Sequence, residues 1–399
     1  MTGAFRRRWW AALAFAASLA GCSEQLTQPG QCPELCPGGL PQGEEQILTA
    51  LPNQDSTFTG YTARSSGTVM LVGSGAPTLA DTSYGVIVFN PRADSVNFRD
   101  TLRAYAVDSV RISLLTAHDT ATRHVLVQLY RLPSSLDTNT LTFDGIRPFF
   151  VPANFIASQQ LRDTAPGDTV RILLKGAPLN QVALAPADKG VLVMGVAIIG
   201  DTPTAGRVGN NRAVLPPEFL SYLKPIVANP ATVAITLDAK FADYVSRQIP
   251  VINPALLTVG GVPSSRVLIR FPWPARLSDS ATIVRATLEL VPAEPVVGVR
   301  NQTGTLNVQG LAADFGAKSP IEPSSLGSLL LPFNTTDTIR VEIANVVRFW
   351  QGGLRPPAMF LSIVPEVETF SRGVFGSTRT GAPPRIRINF LPRFPFSEP

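Results

Sequence analysis

The sequence is poor in charge and in the side chains that most often carry out catalysis. Charged residues make up 16% of its 399 residues, and it contains only three cysteines and two histidines. An average globular protein has about 25% charged residues. The sequence has no G-x-S-x-G nucleophile elbow, no H-E-x-x-H zinc helix, no P-loop lysine and no acidic calcium loop. We therefore expect a protein that is not an enzyme and that holds no metal or cofactor.

A dense basic surface is also missing. The formal net charge is +5, and three of the positive charges, Arg6, Arg7 and Arg8, lie within the first 21 residues. A protein that binds nucleic acid by releasing counterions from phosphates needs a concentrated basic face. The sequence offers none, so we expect no nucleic-acid partner.

The N-terminus has the layout of a secretory signal. The three arginines precede an apolar stretch, residues 9–20, that is shorter than the roughly 20 residues a helix needs to span a bilayer. The stretch runs into Leu19-Ala20-Gly21-Cys22, which resembles the lipobox of bacterial lipoproteins. The resemblance implies that residues 1–21 are a signal peptide and that Cys22 is lipidated. An ordinary secretory signal with an incidental cysteine is the alternative.

A lipid on Cys22 would hold the protein in the cell envelope. Two or more acyl chains anchor a protein firmly, and no other stretch reaches 18 uninterrupted apolar residues. By resemblance to Gram-negative lipoproteins, Ser23 favours the outer membrane over the inner one. The membrane is therefore the first expected partner.

Residues 22–43 are predicted to form a flexible tether. They are rich in Pro, Gly and Gln and show no hydrophobic period, so they cannot bury enough surface to fold alone. The tether contains Cys32 and Cys36. Nearby cysteines outside the cytoplasm usually form a disulfide, so a Cys32–Cys36 bond is one interpretation and unpaired thiols are the other. A metal site would need further Cys or His ligands nearby.

From residue 44 onward, short apolar or alternating runs are separated by Pro, Gly, Asn and Asp. Residues 110–114 alternate as a half-buried strand should. The runs that we interpret as strands are 69–72, 84–89, 107–115, 124–132, 169–174 and 191–199. Short strands with turn residues between them predict an all-β fold of antiparallel β-sandwich, jelly-roll-like domains.

Four segments of the first half are echoed in order in the second half, at offsets near 170–180 residues. The pairs are 84–89 with 266–271, 108–115 with 281–290, 168–172 with 337–341, and 190–196 with 358–364. Such internal repetition predicts two tandem domains. We place them at residues 44–225 and 231–391, with a C-terminal tail at 392–399.

The second half also contains a helical pattern. Ile343, Val346, Val347 and Trp350 fall on one helix face, and Gly352-Gly353 would end the helix. The succession R-V-L-I-R-F, A-T-I-V-R-A-T-L-E-L, D-T-I-R-V and V-V-R-F-W-Q-G-G, closed by P-P-R-I-R-I-N-F, resembles the DNRLRE-type β-sandwich domains of bacterial surface proteins. The resemblance covers residues 255–391 well and 68–223 loosely. It implies a role in adhesion, surface assembly or polysaccharide binding.

Few residues qualify as ligand contacts. Trp350 is predicted to lie in the core because of its helical stripe. Trp273 lies between two prolines after a strand, so we interpret it either as an exposed ring that stacks on a sugar or as a residue that caps its own core. His118 and His124 are interpreted as solvated loop residues. The acidic residues open to a hydrolase are Asp314, Glu322, Asp337, Glu342, Glu366 and Glu368.

These features predict a lipid-anchored envelope protein that acts as a non-catalytic binding or adhesion module, with a polysaccharide or surface polymer as ligand. A structural subunit of an outer-membrane or surface complex is the alternative, with envelope proteins as partners. A polysaccharide hydrolase is the least favoured hypothesis.

Overall fold

The computed structural model describes most of the chain from Gly43 to Pro392. The described residues are 43–60, 62–74, 82–118, 122–163, 167–182, 191–202, 204–226, 232–247, 253–278, 281–299, 304–353 and 355–392. Within them the chain forms two antiparallel β-sandwiches, which confirms the predicted fold class.

The N-terminal sandwich is built from twelve strands that are consecutive in the chain. They are β3 (Val69–Ser74), β4 (Ser83–Phe89), β5 (Val96–Phe98), β6 (Thr101–Arg103), β7 (Tyr105–His118), β8 (Leu126–Leu132), β9 (Phe155–Gln160), β10 (Gly167–Leu174), β11 (Val193–Ile199), β12 (Thr204–Gly209), β13 (Glu218–Pro225) and β14 (Val233–Ser246). Two short helices accompany them, α1 (Phe143–Ile146) and α2 (Ala177–Val182). Each of the six strands predicted in this half lies within or overlaps one of these.

The C-terminal sandwich takes strands from both ends of the chain. They are β1 (Glu44–Thr49), β2 (Ser56–Thr59), β15 (Leu257–Gly260), β16 (Ser265–Arg270), β17 (Ala281–Leu290), β18 (Thr305–Leu311), β19 (Ile321–Leu330), β20 (Ile339–Glu342), β21 (Ala358–Val364), β22 (Arg372–Phe375) and β23 (Arg385–Pro392). The helix α3 (Ala344–Gln351) lies between β20 and β21.

The two sandwiches share one pattern of strand pairing. In the first, the strand orders are β10-β7-β13-β14 and β14-β4-β11-β8-β9, and β3 joins β4 to β12, which also pairs with β7. In the second, they are β20-β17-β23-β1 and β2-β16-β21-β18-β19, and β15 joins β16 to β22. The four echoed sequence pairs are the strand pairs β4/β16, β7/β17, β10/β20 and β11/β21, which occupy equivalent positions in this pattern.

The strand that closes each sandwich comes from a different part of the chain. The long β14 pairs with β13 through its first half and with β4 through its second half. In the C-terminal sandwich, two separate strands take these places: β1 pairs with β23, and β2 pairs with β16. We call residues 44–59, which contain β1 and β2, the closing segment.

This arrangement differs from the predicted domain boundaries. β13 and β14 pair with each other in one sandwich, although the predicted domain boundary at residues 225–231, which contain two prolines and one asparagine, falls between them. Residues 233–246 therefore belong with the first sandwich, and residues 44–59 belong with the second. Local composition marks a turn, but it does not show whether the next strand pairs with the same sheet.

Each sandwich has its own apolar core. Inward-facing residues of β3, β4, β7, β8 and β11 form the first, and those of β16, β17, β18, β21 and β23 form the second. In α3, Val346, Val347 and Trp350 are buried against the second core, as predicted, and Gly353 ends the helix at a φ of 67°. Among the described residues, no helix combines the length and apolar composition needed to cross a membrane.

An ion pair with a buried carboxylate fixes the closing segment. The Asp55 side chain is fully buried and lies 2.9 Å from the Arg379 guanidinium, between β22 and β23. It also accepts hydrogen bonds from the backbone N–H and the hydroxyl of Thr378, at 2.8 and 2.9 Å. The closing segment is therefore held by specific polar contacts in addition to its strand pairing.

We predict that Asp55→Ala lowers the free energy of unfolding by about 2–3 kcal/mol, because it removes a buried carboxylate that accepts two hydrogen bonds from Thr378. Glu45→Gln is the matched control in the same segment, since Glu45 pairs with Arg387 at the surface; exposed pairs contribute about 1 kcal/mol or less. Urea denaturation measures both. Equal losses for the two variants would contradict the assignment.

Candidate functional site at the junction of the two sandwiches

The two sandwiches meet in a buried contact around Tyr244. Tyr244 of β14 is 1% exposed, and its hydroxyl donates to the carbonyl oxygen of Val367 at 3.1 Å. Val262, Val299 and Phe370 of the C-terminal sandwich join the core cluster of the first. Burial raises the pKa of the Tyr244 hydroxyl well above its ordinary value, so it stays a hydrogen-bond donor at physiological pH.

Two glutamates extend this contact to the connection between β2 and β3. Glu366 receives two hydrogen bonds from the Arg266 guanidinium, at 2.6 and 2.7 Å, and one from the Thr62 hydroxyl. Glu368 accepts from the backbone N–H and the hydroxyl of Thr68. The connection therefore follows the C-terminal sandwich before it enters β3.

A cavity of about 580 Å³ lies beside this contact. The residues that matter most in its lining are Arg64 from the β2–β3 connection, Phe143 and Asp144 from α1, Arg147, Arg247 after β14, and Pro263 between β15 and β16. Three distant stretches of the N-terminal half and one turn of the C-terminal sandwich thus form its walls. Its volume lies within the range of small-molecule sites, about 300–1,000 Å³.

The cavity is positively charged. Three arginines and one aspartate line it, and within the described part of the chain Arg64, Arg147 and Arg247 have no carboxylate at ion-pair distance. Arg147 and Arg247 are exposed. Arg64 is oriented by a 2.6 Å hydrogen bond from its guanidinium to the Tyr244 carbonyl oxygen. An arginine fork matches carboxylate and phosphate groups, so the cavity is suited to an anion.

Asp243 lies behind Arg64. Burial raises the pKa of the Asp243 carboxyl, while the Tyr244 backbone N–H and the Arg64 charge oppose that rise. Asp243 is therefore a carboxyl near enough to interact with the Arg64 charge.

An aromatic stack supports the wall that carries α1. The Tyr84 ring stacks on Phe143, at a centroid distance of 5.4 Å, and on Phe150, at 3.8 Å. Phe150 rests on Gly195 of β11, where a Cβ atom would come within 2.6 Å of the ring. This close approach requires glycine and positions Asp144 and Arg147 over the sheet.

The structure locates some of the sequence-predicted site residues. Cys22, Cys32 and Cys36 lie outside the described residues. Trp273 is half-buried and packs edge-to-face on Trp350, at a centroid distance of 5.6 Å. Its indole nitrogen is buried, which favours the interpretation that Trp273 caps its own core. Trp350 is 1% exposed, as predicted for a core residue.

The histidines and most of the acidic residues also have structural contacts. His118 is buried at the end of β7, contrary to the expectation of a solvated residue, whereas His124 is exposed and pairs with Asp201 at 2.5 Å. The hydrogen bond and the charge of Asp201 raise the pKa of the His124 imidazole. Asp314, Glu322, Glu342 and Glu366 pair with Arg270, Arg355, Arg285 and Arg266.

Sequence reasoning missed the junction cavity. Arg64, Arg147 and Arg247 are isolated in the sequence, and no spacing pattern relates them. Only the pairing of β14 and of the closing segment brings them together. Among the described residues, no three His, Asp or Glu side chains are grouped so that they could hold a metal ion.

Comparisons with known proteins give little further information. No family model matches the chain, and no curated protein matches it. Among solved structures, it is similar to the VP2 subviral particle of infectious bursal disease virus, with 10% identity, coverage of 92% of this chain and 79% of that one, and a TM-score of 0.13. It is also similar to the T=1 particle derived from infectious bursal virus, with 11% identity, coverage of 92% of this chain and 76% of that one, and a TM-score of 0.13. Similarities this weak carry no argument about function.

The junction is expected to weaken in acid. Burial pushes the pKa of Glu366 up, but hydrogen bonds from Arg266 and Thr62 outweigh burial and hold this pKa below its ordinary value of 4.5. A carboxylate with a lowered folded-state pKa stabilises the protein above its unfolded-state pKa, and the stabilisation is lost as pH falls through the folded-state pKa.

We predict that Glu366→Gln costs about 2 kcal/mol at pH 7, the range of hydrogen bonds to charged groups, and that the variant loses less stability than the wild type when the pH falls below 4.5. Urea denaturation at neutral and acidic pH measures both effects. Glu45→Gln, which removes an exposed charge, is the control. An unchanged acid dependence in Glu366→Gln would refute the role assigned to this pair.

Proposed function

We propose that the protein is a lipid-anchored component of the cell envelope, tethered to the outer membrane through Cys22. We further propose that it is a non-catalytic binding module for an acidic polysaccharide or surface polymer. The lipobox-like N-terminus supports the anchoring, and the junction cavity supports the binding. The DNRLRE-like sequence pattern is consistent with a surface role.

The observation that carries the binding proposal is the set of three arginines around one cavity. No described carboxylate lies at ion-pair distance from these three guanidinium groups, so each is available to pair with an anionic ligand. Carboxylate groups spaced along an acidic polymer would meet more than one arginine, and bidentate pairing gives such contacts geometric specificity.

Two of the candidate carboxylates in the C-terminal sandwich are not suited to the acid role of a glycosidase. Hydrogen bonds and charge from Arg270 lower the pKa of Asp314, and Arg266 and Thr62 lower that of Glu366. A glycosidase needs one carboxylic acid whose pKa is raised so that it can donate a proton. The pKa values of Asp314 and Glu366 are lowered, which is the opposite of what that acid needs.

We predict that the full-length protein binds polygalacturonate and does not bind dextran, a neutral polymer. Arg147→Ala and Arg247→Ala should each weaken binding about tenfold, which corresponds to 1.4 kcal/mol. Binding should also weaken as salt screens the charges. Equilibrium binding to the labelled polymer is the measurement, and dextran sulfate distinguishes carboxylate recognition from binding to any polyanion.

Arg171→Ala is the matched control, because Arg171 is an exposed arginine on β10 that does not line the cavity. Binding that the cavity variants leave unchanged would contradict the site. If no polymer binds and the protein instead co-purifies with envelope proteins at fixed stoichiometry, the structural-subunit alternative replaces the binding module.

The anchor has its own test. Cys22→Ala should abolish acylation, because the thiol that would carry the lipid is removed, and should release the protein from the membrane fraction or stall it as a precursor. Mass spectrometry of the N-terminal peptide and membrane fractionation measure this. A Cys22→Ala protein that is still processed and membrane-held would refute lipid anchoring.

A further inference from the structure

The closing segment fills the places that β14 fills in the N-terminal sandwich, but it comes from a different position in the chain. In the N-terminal sandwich, β14 follows β13 along the chain and contributes Leu237, Ala242 and Tyr244 to the core. In the C-terminal sandwich, no described strand follows β23, and the equivalent places are filled by β1 and β2 from the opposite end of the chain. Glu44 pairs with Phe390, so this closure joins distant residues.

The C-terminal sandwich presents two open edges without this segment. β23 pairs with β17 on one side and with β1 on the other, so removal of β1 would leave a row of β23 backbone groups unpaired. Removal of β2 would do the same along β16. Unpaired edges of this kind accept a strand from another chain.

The described contacts of the closing segment with the rest of the chain are all made to the C-terminal sandwich, so a second copy could supply them equally. Its ladder with β23, its ion pair from Asp55 to Arg379 and the bond from the Gly60 N–H to the Ser264 carbonyl oxygen all join it to the C-terminal sandwich. Thr62 and Thr68 continue these contacts through Glu366 and Glu368. A copy that donates its closing segment together with its N-terminal sandwich would re-form all of them.

The described strand pairs and side-chain contacts are therefore the same in the two arrangements, which differ in chain connectivity. Exchange of identical elements between copies is a low-cost route to association. A connected segment has an effective concentration of the order of millimolar, so exchange becomes competitive where copies are crowded. On a membrane, tethered copies would be held side by side.

We propose that residues 44–59, together with the N-terminal sandwich that follows them, are exchangeable between copies, and that the partner of the C-terminal sandwich at high density is the closing segment of a second copy of this chain. The inference rests on strand pairing and, for the density of copies on a membrane, on the proposed lipid anchor; it does not depend on polymer binding. Reciprocal exchange gives closed dimers, and one-way exchange gives chains of copies.

Cysteine cross-linking tests this directly. Thr49 and Arg385 are exposed and directly opposite each other on β1 and β23. Two differently tagged full-length copies are co-expressed, one with Thr49→Cys and the other with Arg385→Cys, so that both fold in the same cell. Oxidation is expected to give a disulfide-linked heterodimer whose yield rises with expression level.

Three controls define the result. Each single variant is paired with the wild type, which carries the native cysteines. Thr49→Cys is also paired with Arg340→Cys, since Arg340 is exposed on β20, which pairs with β17 and not with β1. Both substitutions placed in one chain should cross-link within that chain and should prevent association in light scattering.

Absence of the heterodimer, under conditions in which the double variant cross-links completely within its own chain, would overturn the proposal. So would a heterodimer of equal yield with Arg340→Cys, because cross-linking would then report proximity and not strand exchange. A heterodimer that forms with Arg385→Cys but not with Arg340→Cys, and whose yield falls at lower expression, would support the proposal.

Discussion

The pairing of the first strand with the last is the constraint on which the rest of the structure depends. Because β1 lies against β23 and β2 against β16, both ends of the described chain belong to the C-terminal sandwich, and the whole N-terminal sandwich is inserted between them. The chain must therefore cross between the sandwiches twice, after β2 and after β14. These two crossings supply Arg64 and Arg247, so the junction cavity is a consequence of the closure.

The sequence predicts the elements of this fold better than their partners. The side of an element that faces the core is a local property, so the sequence can predict it. Examples are the alternation at residues 110–114 and the helical spacing of Val346, Val347 and Trp350. The partner of a strand is decided by edges far away in the sequence. For that reason the assignment of β14 to the second domain failed, and nothing in residues 44–59 indicated that they pair with the C-terminal end of the chain. The burial of His118 was missed for the same reason, since its neighbour β12 follows it by more than 80 residues.

The candidate site was even less accessible to sequence reasoning. Trp273 drew attention as an aromatic residue between prolines, but its contact with Trp350 accounts for its position. The arginines of the junction have no local signature, and they become a site only because two chain crossings, the α1 region and one turn meet. The candidate site also depends on this closure, because loss of the β2–β3 connection from the junction would remove Arg64 from the cavity wall. Since residue 43 directly precedes β1, a lipidated tether would join the fold at the C-terminal sandwich, beside its closing edge.

Hydrogen–deuterium exchange of the full-length protein tests this closure most directly. If the closing segment completes the C-terminal sandwich, the amides of residues 44–49 and 385–390 are protected and open together with that sandwich, because each strand supplies hydrogen-bond partners to the other. Exchange of residues 44–59 at the rate of an unfolded chain, with 385–390 still protected, would show that the sandwich is stable without them and would contradict the account.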